Sequence, residues 1–218
     1  MTTFAASVLA ELGSRADGSA VIVHDRYQNY DSTKLGTLVH QLCTQHLCRD
    51  LDDAAQVYPD AVWPTQIADA LRGLIHEANL ARDQGLPAIA EDVKAALLTR
   101  FRNGVLVGLS DTTSRGDRPG ESKARCLLEV LRDRPDDVLR FAHDLKVPPT
   151  SNQAERDLRP SKCQQNVSGR LTSEARTRDR YTIRGYVSTA AKHGLNMISV
   201  LRDAMIGRPW MPTLPAPT

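Results

Sequence analysis

A buried strand is predicted by the stretch Ala20-Val21-Ile22-Val23-His24, which ends at Asp25. The run is short, rich in β-branched residues and apolar on both faces, as is typical of a strand inside a parallel or mixed sheet. An acid at the carboxyl end of such a strand is a candidate site residue, because open α/β sheets bind ligands at those ends. The alternative is that Asp25 forms a turn before Arg26 and Tyr27.

Outward from this strand, the sequence predicts a second strand and then mostly helices. The second strand is expected over residues 37–42. Residues 110–122 predict an exposed loop, and Pro135 and Pro148-Pro149 interrupt the helical pattern. Apolar residues at helical spacing predict a short N-terminal helix over residues 4–12 and further helices over residues 47–58, 67–78, 89–101, 127–131, 138–141, 176–193 and 196–206.

Glu155 lies where the sequence predicts the start of a helix. Asn152 is a favourable N-cap residue, and Glu155 follows three residues later, in the capping-box position. This structural role would explain both residues without any function. The alternative is that Glu155 and Asp25 offer hard carboxylate oxygens to Mg²⁺, although the pattern by itself does not pair the two acids.

Positive charge is concentrated at the end of the chain. The formal net charge is +2, but residues 150–218 contain 11 Lys and Arg against 5 Asp and Glu, whereas residues 1–149 contain 17 against 21. Clustered arginines favour a polyanionic partner such as nucleic acid, because binding to phosphates releases counterions. The alternative is a solvated helical face.

Composition and segment lengths exclude several classes of protein. The chain of 218 residues is 41% hydrophobic and 25% charged, which excludes disordered and collagenous proteins. No apolar run approaches the roughly 18 residues that cross a bilayer, and no signal-peptide pattern is present, so we expect no membrane partner and no secretion. Four scattered cysteines do not predict a disulfide framework, and a cytoplasmic location is expected.

A zinc site is an alternative interpretation of the residues after the second strand. His40, Cys43 and His46, with Cys48, offer nitrogen and sulfur ligands in a short span. A structural zinc site usually takes a second ligand pair from elsewhere, and the two remaining cysteines stand alone. Packing is therefore the favoured role of these four side chains.

A longer motif resembles a known protein family. The stretch Ser151-Asn152-Gln153-Ala154-Glu155-Arg156-Asp157-Leu158-Arg159-Pro160 closely resembles the signature around the catalytic glutamate of bacterial DDE transposases of the insertion-sequence sixty-six family. Val23-His24-Asp25-Arg26-Tyr27 resembles the strand that bears the second catalytic aspartate of that family. His40-Gln41-Leu42-Cys43 with His46 resembles its Cys-x-x-His element, and the resemblance continues to residues 207–212.

The resemblance implies a fold and a domain organisation. The fold class would be α/β but mostly helical, with a ribonuclease-H-like core that is N-terminally truncated and contains an all-α insertion. The implied segments are an N-terminal amphipathic helix and loop (1–19), the start of the core (20–58), the all-α insertion and loop (59–121), the C-terminal helical part of the core with the glutamate (122–208) and an extended tail (209–218).

The resemblance also implies a reaction, a cofactor and a site. Asp25 and Glu155 would be the catalytic residues and the ligands of Mg²⁺, which activates water or a DNA 3′-hydroxyl for cleavage and strand transfer. For Arg159, a surface position without function is equally compatible with the sequence. The residues implied near the site without a metal role are Cys43, His46 and Asn152, and those implied in DNA binding are Arg156, Arg159 and Lys162.

One catalytic carboxylate is left unassigned by the resemblance. A DDE enzyme needs three, and the sequence before Asp25 predicts no strand that would bear the first. We therefore expect a truncated transposase that cuts little or no DNA alone, because losing one ligand weakens the binding of metal ions. The alternative is a non-catalytic DNA-binding or dimerising fragment that modulates a full-length transposase. The expected partners are DNA and either a second copy of the chain or that transposase.

Overall fold

The computed structural model describes residues 21–31, 39–112, 120–165 and 173–212, and the chain divides into two compact units, Met1–Ser151 and Asn152–Thr218. Helices far outnumber strands in the described part of the chain, which confirms the prediction of a mostly helical protein. The first unit contains β1 (Val21–His24), β2 (Val39–Leu42), α1 (Thr44–Val57), α2 (Trp63–Asp83), α3 (Glu91–Asp111), α4 (Glu121–Asp133) and α5 (Pro135–His143). The second unit contains α6 (Asn152–Gln165), α7 (Glu174–Lys192) and α8 (Met197–Met205).

The two strands form a parallel pair at the start of the first unit. The register runs from Val21 opposite Val39 to His24 opposite Leu42. Pairing continues for one more residue, because the backbone N–H of Cys43 donates to the His24 carbonyl over 2.7 Å. The predicted first strand is confirmed, and so is the second over residues 39–42; residues 37 and 38 lie outside the described part of the chain. Parallel pairing places both carboxyl ends at the same edge.

A helical core fills the rest of the first unit. Apolar side chains at helical spacing cover one face of each helix, as expected for helices that pack on one another. α2 packs against α1, α3 and α5, and α4 packs against α1 and α3. The largest side chains that this packing buries almost completely include Trp63, Leu71, Phe101, Leu128 and Phe141.

Two glycines on α3 allow that helix to approach its neighbours closely. A Cβ atom on Gly104 would lie 2.7 Å from the Ile67 side chain of α2. A Cβ atom on Gly108 would lie 2.7 Å from the Leu128 side chain of α4 and 2.9 Å from the Trp63 ring. Such distances are too short for carbon atoms that are not bonded, so these positions require glycine in this packing.

The structure corrects two sequence predictions around α3. The helix begins after Ile89 and continues to Asp111, so the predicted end near residue 101 is wrong. The predicted loop over residues 110–122 is also too long, since Ser110 and Asp111 are helical and α4 begins at Glu121. Residues 113–119 lie outside the described part of the chain.

A buried amide joins the sheet to α5. Gln41 is fully buried, and its Nε2 donates to the carbonyls of Leu42 over 2.7 Å and Val138 over 3.0 Å. The backbone N–H of Phe141 donates to its Oε1 over 2.9 Å. Three hydrogen bonds therefore satisfy this amide, as a buried polar group requires.

The helices of the second unit end close to their predicted positions. The N-cap residue of α8 is Asn196, whose Oδ1 accepts from the N–H groups of Ile198 and Ser199 over 3.0 and 3.1 Å. Gly194 and Gly207 follow α7 and α8 with φ of +74° and +80°, the left-handed conformation that commonly ends helices. Residues 209–212 belong to no helix or strand, and the predicted N-terminal helix and the end of the tail lie outside the described residues.

The start of α6 differs from its prediction by one residue. Asn152 is the first helical residue, not the N-cap. A shift of one position places Ala154 where the capping box needs Glu or Gln, so the predicted capping-box role of Glu155 is wrong. Glu155 nevertheless lies in the first turn of the helix.

Candidate active site

Asp25 immediately follows the carboxyl end of β1. Its side chain is exposed, and its Oδ1 accepts a hydrogen bond from the Tyr27 N–H over 3.3 Å, as the turn interpretation predicts. Arg26 does not neutralise it, because the guanidinium forms an ion pair with Asp50 of α1. No cation pairs with Asp25 among the residues that the structure describes. The carboxylate is therefore accessible to a cation from solvent.

Next to Asp25, a pair of histidines bridges the two strands. His24 Nδ1 bonds to the Asp25 carbonyl, and its Nε2 lies 2.9 Å from Nδ1 of His40. The His24 ring also packs on Tyr30, with ring centroids 4.5 Å apart. Burial is the main cause of a lowered pKa of His24; the bond to the Asp25 carbonyl opposes it, and the charge of His40 adds to it. Neutral His24 therefore donates through Nδ1 and accepts through Nε2 from His40.

Cys43 follows β2 at the same edge of the sheet. Its sulfur accepts a hydrogen bond from the backbone N–H of Ser151 over 3.3 Å. Burial is the largest influence on the thiol and opposes its ionisation, but hydrogen bonds from Ser151 and His46 outweigh it, so the pKa of Cys43 lies below its ordinary value. The N–H and Oγ1 of Thr44 both donate to the Pro149 carbonyl, over 3.0 and 2.8 Å. Residues 149–151 are thus fixed to the end of β2.

Two of the four side chains in the zinc interpretation have other roles. His40 bonds to His24 through its Nδ1, as described above. Cys48 is buried in the helical core, where burial raises the pKa of its thiol to about 11. A thiol of this kind stays protonated at neutral pH and behaves as a small apolar side chain. Cys43 and His46 remain as a hydrogen-bonded pair.

The remaining predicted site residues all lie on α6 of the second unit. Glu155 is exposed in the first turn. Arg159 and Lys162 follow Glu155 by four and seven residues, spacings that place side chains on the same face of a helix. The exposed residues of α6 that the sequence singles out are Asn152, Glu155, Arg156, Arg159 and Lys162.

The structure thus describes the predicted residues in two groups, one in each unit. Asp25, Cys43 and His46 lie at or just after the strand ends of the first unit, and the other five lie on α6. The hydrogen bond between His24 and His40 is not predicted by the sequence, because His24 belongs to an otherwise apolar run. The contact of Ser151 with Cys43 has no signal in the sequence either, since 108 residues separate the two.

Comparisons with known proteins give one result. A family model described as the Transposase IS66 family matches residues 3–178. These residues include both strands, helices α1 to α6 and every predicted site residue. No curated protein and no solved structure matches the chain. Within the described ranges, no helix combines the length and the apolar character needed to cross a membrane.

Proposed function

Because the chain belongs to the IS66 family of transposases, we propose that it acts in Mg²⁺-dependent cleavage and strand transfer of DNA, with little cutting by the chain alone because the resemblance assigns only two of the three carboxylates of a DDE site. We propose in addition that β1, β2 and the helices around residues 122–208 belong to a ribonuclease-H-like core, and that residues 59–121 are its all-α insertion. The parallel pairing of β1 with β2 and the run of helices after β2 support this assignment.

Asp25 and Glu155 are the proposed ligands of Mg²⁺. Both carboxylates are exposed, and hard oxygens of this kind are the ligands that Mg²⁺ prefers. Bound Mg²⁺ would supply an activated water or 3′-hydroxyl and stabilise negative charge on the phosphate oxygens. The observation that carries the proposal is the pairing of Arg26 with Asp50, which leaves the Asp25 carboxylate without a neutralising cation among the described residues.

The neighbouring residues have supporting roles in the proposed site. Cys43 holds Ser151 at the end of β2 and bonds in turn to His46, and Glu155 follows Ser151 by only four residues in the chain. Arg156, Arg159 and Lys162 would bind DNA phosphates, with Asn152 nearby on the first turn of α6. Long exposed cations on the helix that carries the catalytic glutamate suit that role.

Metal binding tests this proposal independently of DNA cleavage. Mn²⁺, a spectroscopic substitute for Mg²⁺, is titrated into the full chain and into the Asp25→Asn and Glu155→Gln variants. Each variant should weaken binding by about tenfold or more, because affinity follows the number of charged ligands. Matched controls are Asp53→Asn, an exposed acid of α1, and Glu174→Gln, an exposed acid in the first turn of α7. Equal affinities in all five proteins would refute the metal site.

A second candidate function is DNA binding without cutting. The resemblance assigns two of the three carboxylates of a DDE site, and the second unit carries many exposed arginines without ion pairs among the described residues. A Mg²⁺-dependent nicking assay separates the two candidates. Nicking by the chain that is lost in Glu155→Gln supports the enzyme, whereas salt-dependent binding without nicking supports the DNA-binding protein.

A further inference from the structure

A row of three arginines runs along α7 of the second unit. Arg176, Arg180 and Arg184 are four residues apart, and all three are exposed. Residues at this spacing lie on one side of a helix, and the three span about 12 Å along its axis. We call these three residues the arginine stripe. Arg180 and Arg184 lie beyond residue 178, where the family match ends.

Among the residues that the structure describes, the arginine stripe has no internal partner, in contrast to most arginines of the first unit. Most described arginines of the first unit bond to a carboxylate or a backbone carbonyl; they are Arg26, Arg72, Arg82, Arg100, Arg125, Arg132, Arg134 and Arg140. Within the described ranges, no side-chain hydrogen bond or ion pair involves Arg176, Arg180 or Arg184. The charges of the first unit therefore serve the fold, whereas those of the stripe remain available to a ligand.

The described acidic residues near the stripe do not neutralise it. Asp179 is the acid on α7 with the right spacing to reach Arg176, three residues away, yet the two form no ion pair. Glu174 projects from another side of the helix, and Asp157 of α6 is paired with Lys192. Three positive charges in a row attract a polyanion, whose negative charges repeat at regular intervals, more strongly than they attract a single small anion.

The apolar content of α7 argues against a lipid surface as the partner. A helix that binds a membrane surface needs a broad apolar face opposite its charges. Ile183 is the one large apolar side chain of α7 that is mostly exposed. A nucleic-acid backbone requires no such face, because phosphate contacts to arginine supply the affinity.

We propose that the arginine stripe binds consecutive phosphates of duplex DNA, without reading the base sequence. This inference deepens the proposed function and rests on it for the choice of DNA as the polyanion. It adds a contact surface on α7 to the DNA-binding residues proposed on α6.

Binding of the full chain to a non-specific DNA duplex in EDTA tests the proposal. Arg180→Gln should reduce the slope of log K against log salt concentration by about 0.9, and the triple variant of Arg176, Arg180 and Arg184 to Gln by about 2.7. The matched control is Arg178→Gln, which removes the same charge from nearly the opposite side of the same helix. Relative to the wild-type chain, the slope should change less in Arg178→Gln than in Arg180→Gln.

Three results would overturn the proposal. Equal slopes for Arg178→Gln and Arg180→Gln would show that general charge, not the stripe, binds DNA. Tighter binding to duplex RNA of the same sequence, or to vesicles of anionic lipid, would assign the stripe to another partner. EDTA removes the metal, so loss of the proposed metal site leaves this measurement unchanged, and failure of the stripe leaves Mn²⁺ binding unchanged.

Discussion

The backbone N–H of Ser151 donates a hydrogen bond to the sulfur of Cys43 over 3.3 Å, which links the end of the first unit to the edge where β2 ends. An N–H that points at sulfur stabilises the thiolate over the thiol. The contact therefore affects both the position of residues 149–151 and the ionisation of Cys43.

Cys43 should make stability depend on pH. The pKa of the folded thiol is lowered: burial opposes ionisation, and the hydrogen bonds from Ser151 and His46 outweigh it. A lowered pKa in the folded state contributes stability above the unfolded-state pKa, and this contribution is lost as pH falls through the folded-state pKa. The difference in unfolding free energy between the wild-type chain and Cys43→Ala should therefore grow as pH rises towards the ordinary thiol pKa.

Urea unfolding at a series of pH values measures this difference, and Cys48→Ala is the control. Burial raises the pKa of Cys48 to about 11, so its contribution should shrink as pH rises through the ordinary thiol value. Parallel pH profiles for the two variants would contradict the ionisation assigned to Cys43.

Removing the Gln41 amide should destabilise the first unit. Gln41→Leu removes the bonds of the amide to the Phe141 N–H and the Val138 carbonyl, which then keep only their partners within α5. We expect a loss of about 3 kcal/mol in unfolding free energy, since the variant loses three buried hydrogen bonds that contribute about 1 kcal/mol each. Gln66→Leu is the control, because Gln66 is only half-buried and its Nε2 donates to the Arg100 carbonyl. A similar, small loss in both variants would show that the buried amide is not a structural link.

Replacing each of two helical glycines by alanine should have opposite effects on stability. Gly108→Ala places a Cβ against Leu128 and Trp63 and should cost about 1 to 3 kcal/mol. Gly185→Ala meets nothing within 4 Å and should stabilise α7 by about 0.5 to 1 kcal/mol, because alanine favours a helix. Thermal unfolding followed by circular dichroism measures both. Stabilisation by Gly108→Ala would contradict the close approach of α3 to its neighbours.

Replacement of Arg82 by lysine should destabilise the first unit. Its guanidinium donates to the carbonyls of Leu145 over 2.6 Å and Val147 over 2.8 Å, two bonds that a single ammonium cannot reproduce in the same geometry. We expect Arg82→Lys to lower the unfolding free energy by about 1 to 2 kcal/mol. Arg100→Lys, which alters an exposed ion pair with Asp69, should cost less than about 0.5 kcal/mol. Chemical denaturation measures the loss of unfolding free energy in both variants. Equal losses would show that the carbonyl contacts of Arg82 contribute nothing to stability.

Local sequence signals predicted much of the secondary structure. The strand that ends at His24, the break at Pro135 and the helix that begins after Asn196 all depend on residues close together in the chain. The sequence does not predict the extension of α3 to Asp111, because Gly104 and Gly108 lower helix propensity. Their advantage is the close approach to Ile67 and Leu128, which depends on tertiary structure.

The sequence predicts the residue types of the candidate site better than it predicts the contacts between them. The position of Asp25 after a buried strand predicts a site residue, because acids at strand ends bind ligands, and the structure describes it there as an exposed carboxylate. Nothing in the sequence indicates that hydrogen bonds from α5 satisfy Gln41 or that Cys43 accepts a hydrogen bond from Ser151. Such partners lie about 100 residues away and are found only once the chain has folded.

The amide of Gln41 also has a consequence for local motion. Transient separation of α5 from β2 would break the two hydrogen bonds of the Gln41 amide to α5 at once and leave that amide without these partners in an apolar interior. Amide protons of α5 and β2 should therefore exchange with solvent deuterium at a common rate, so that the strand and a helix distant in the chain open as one cooperative element.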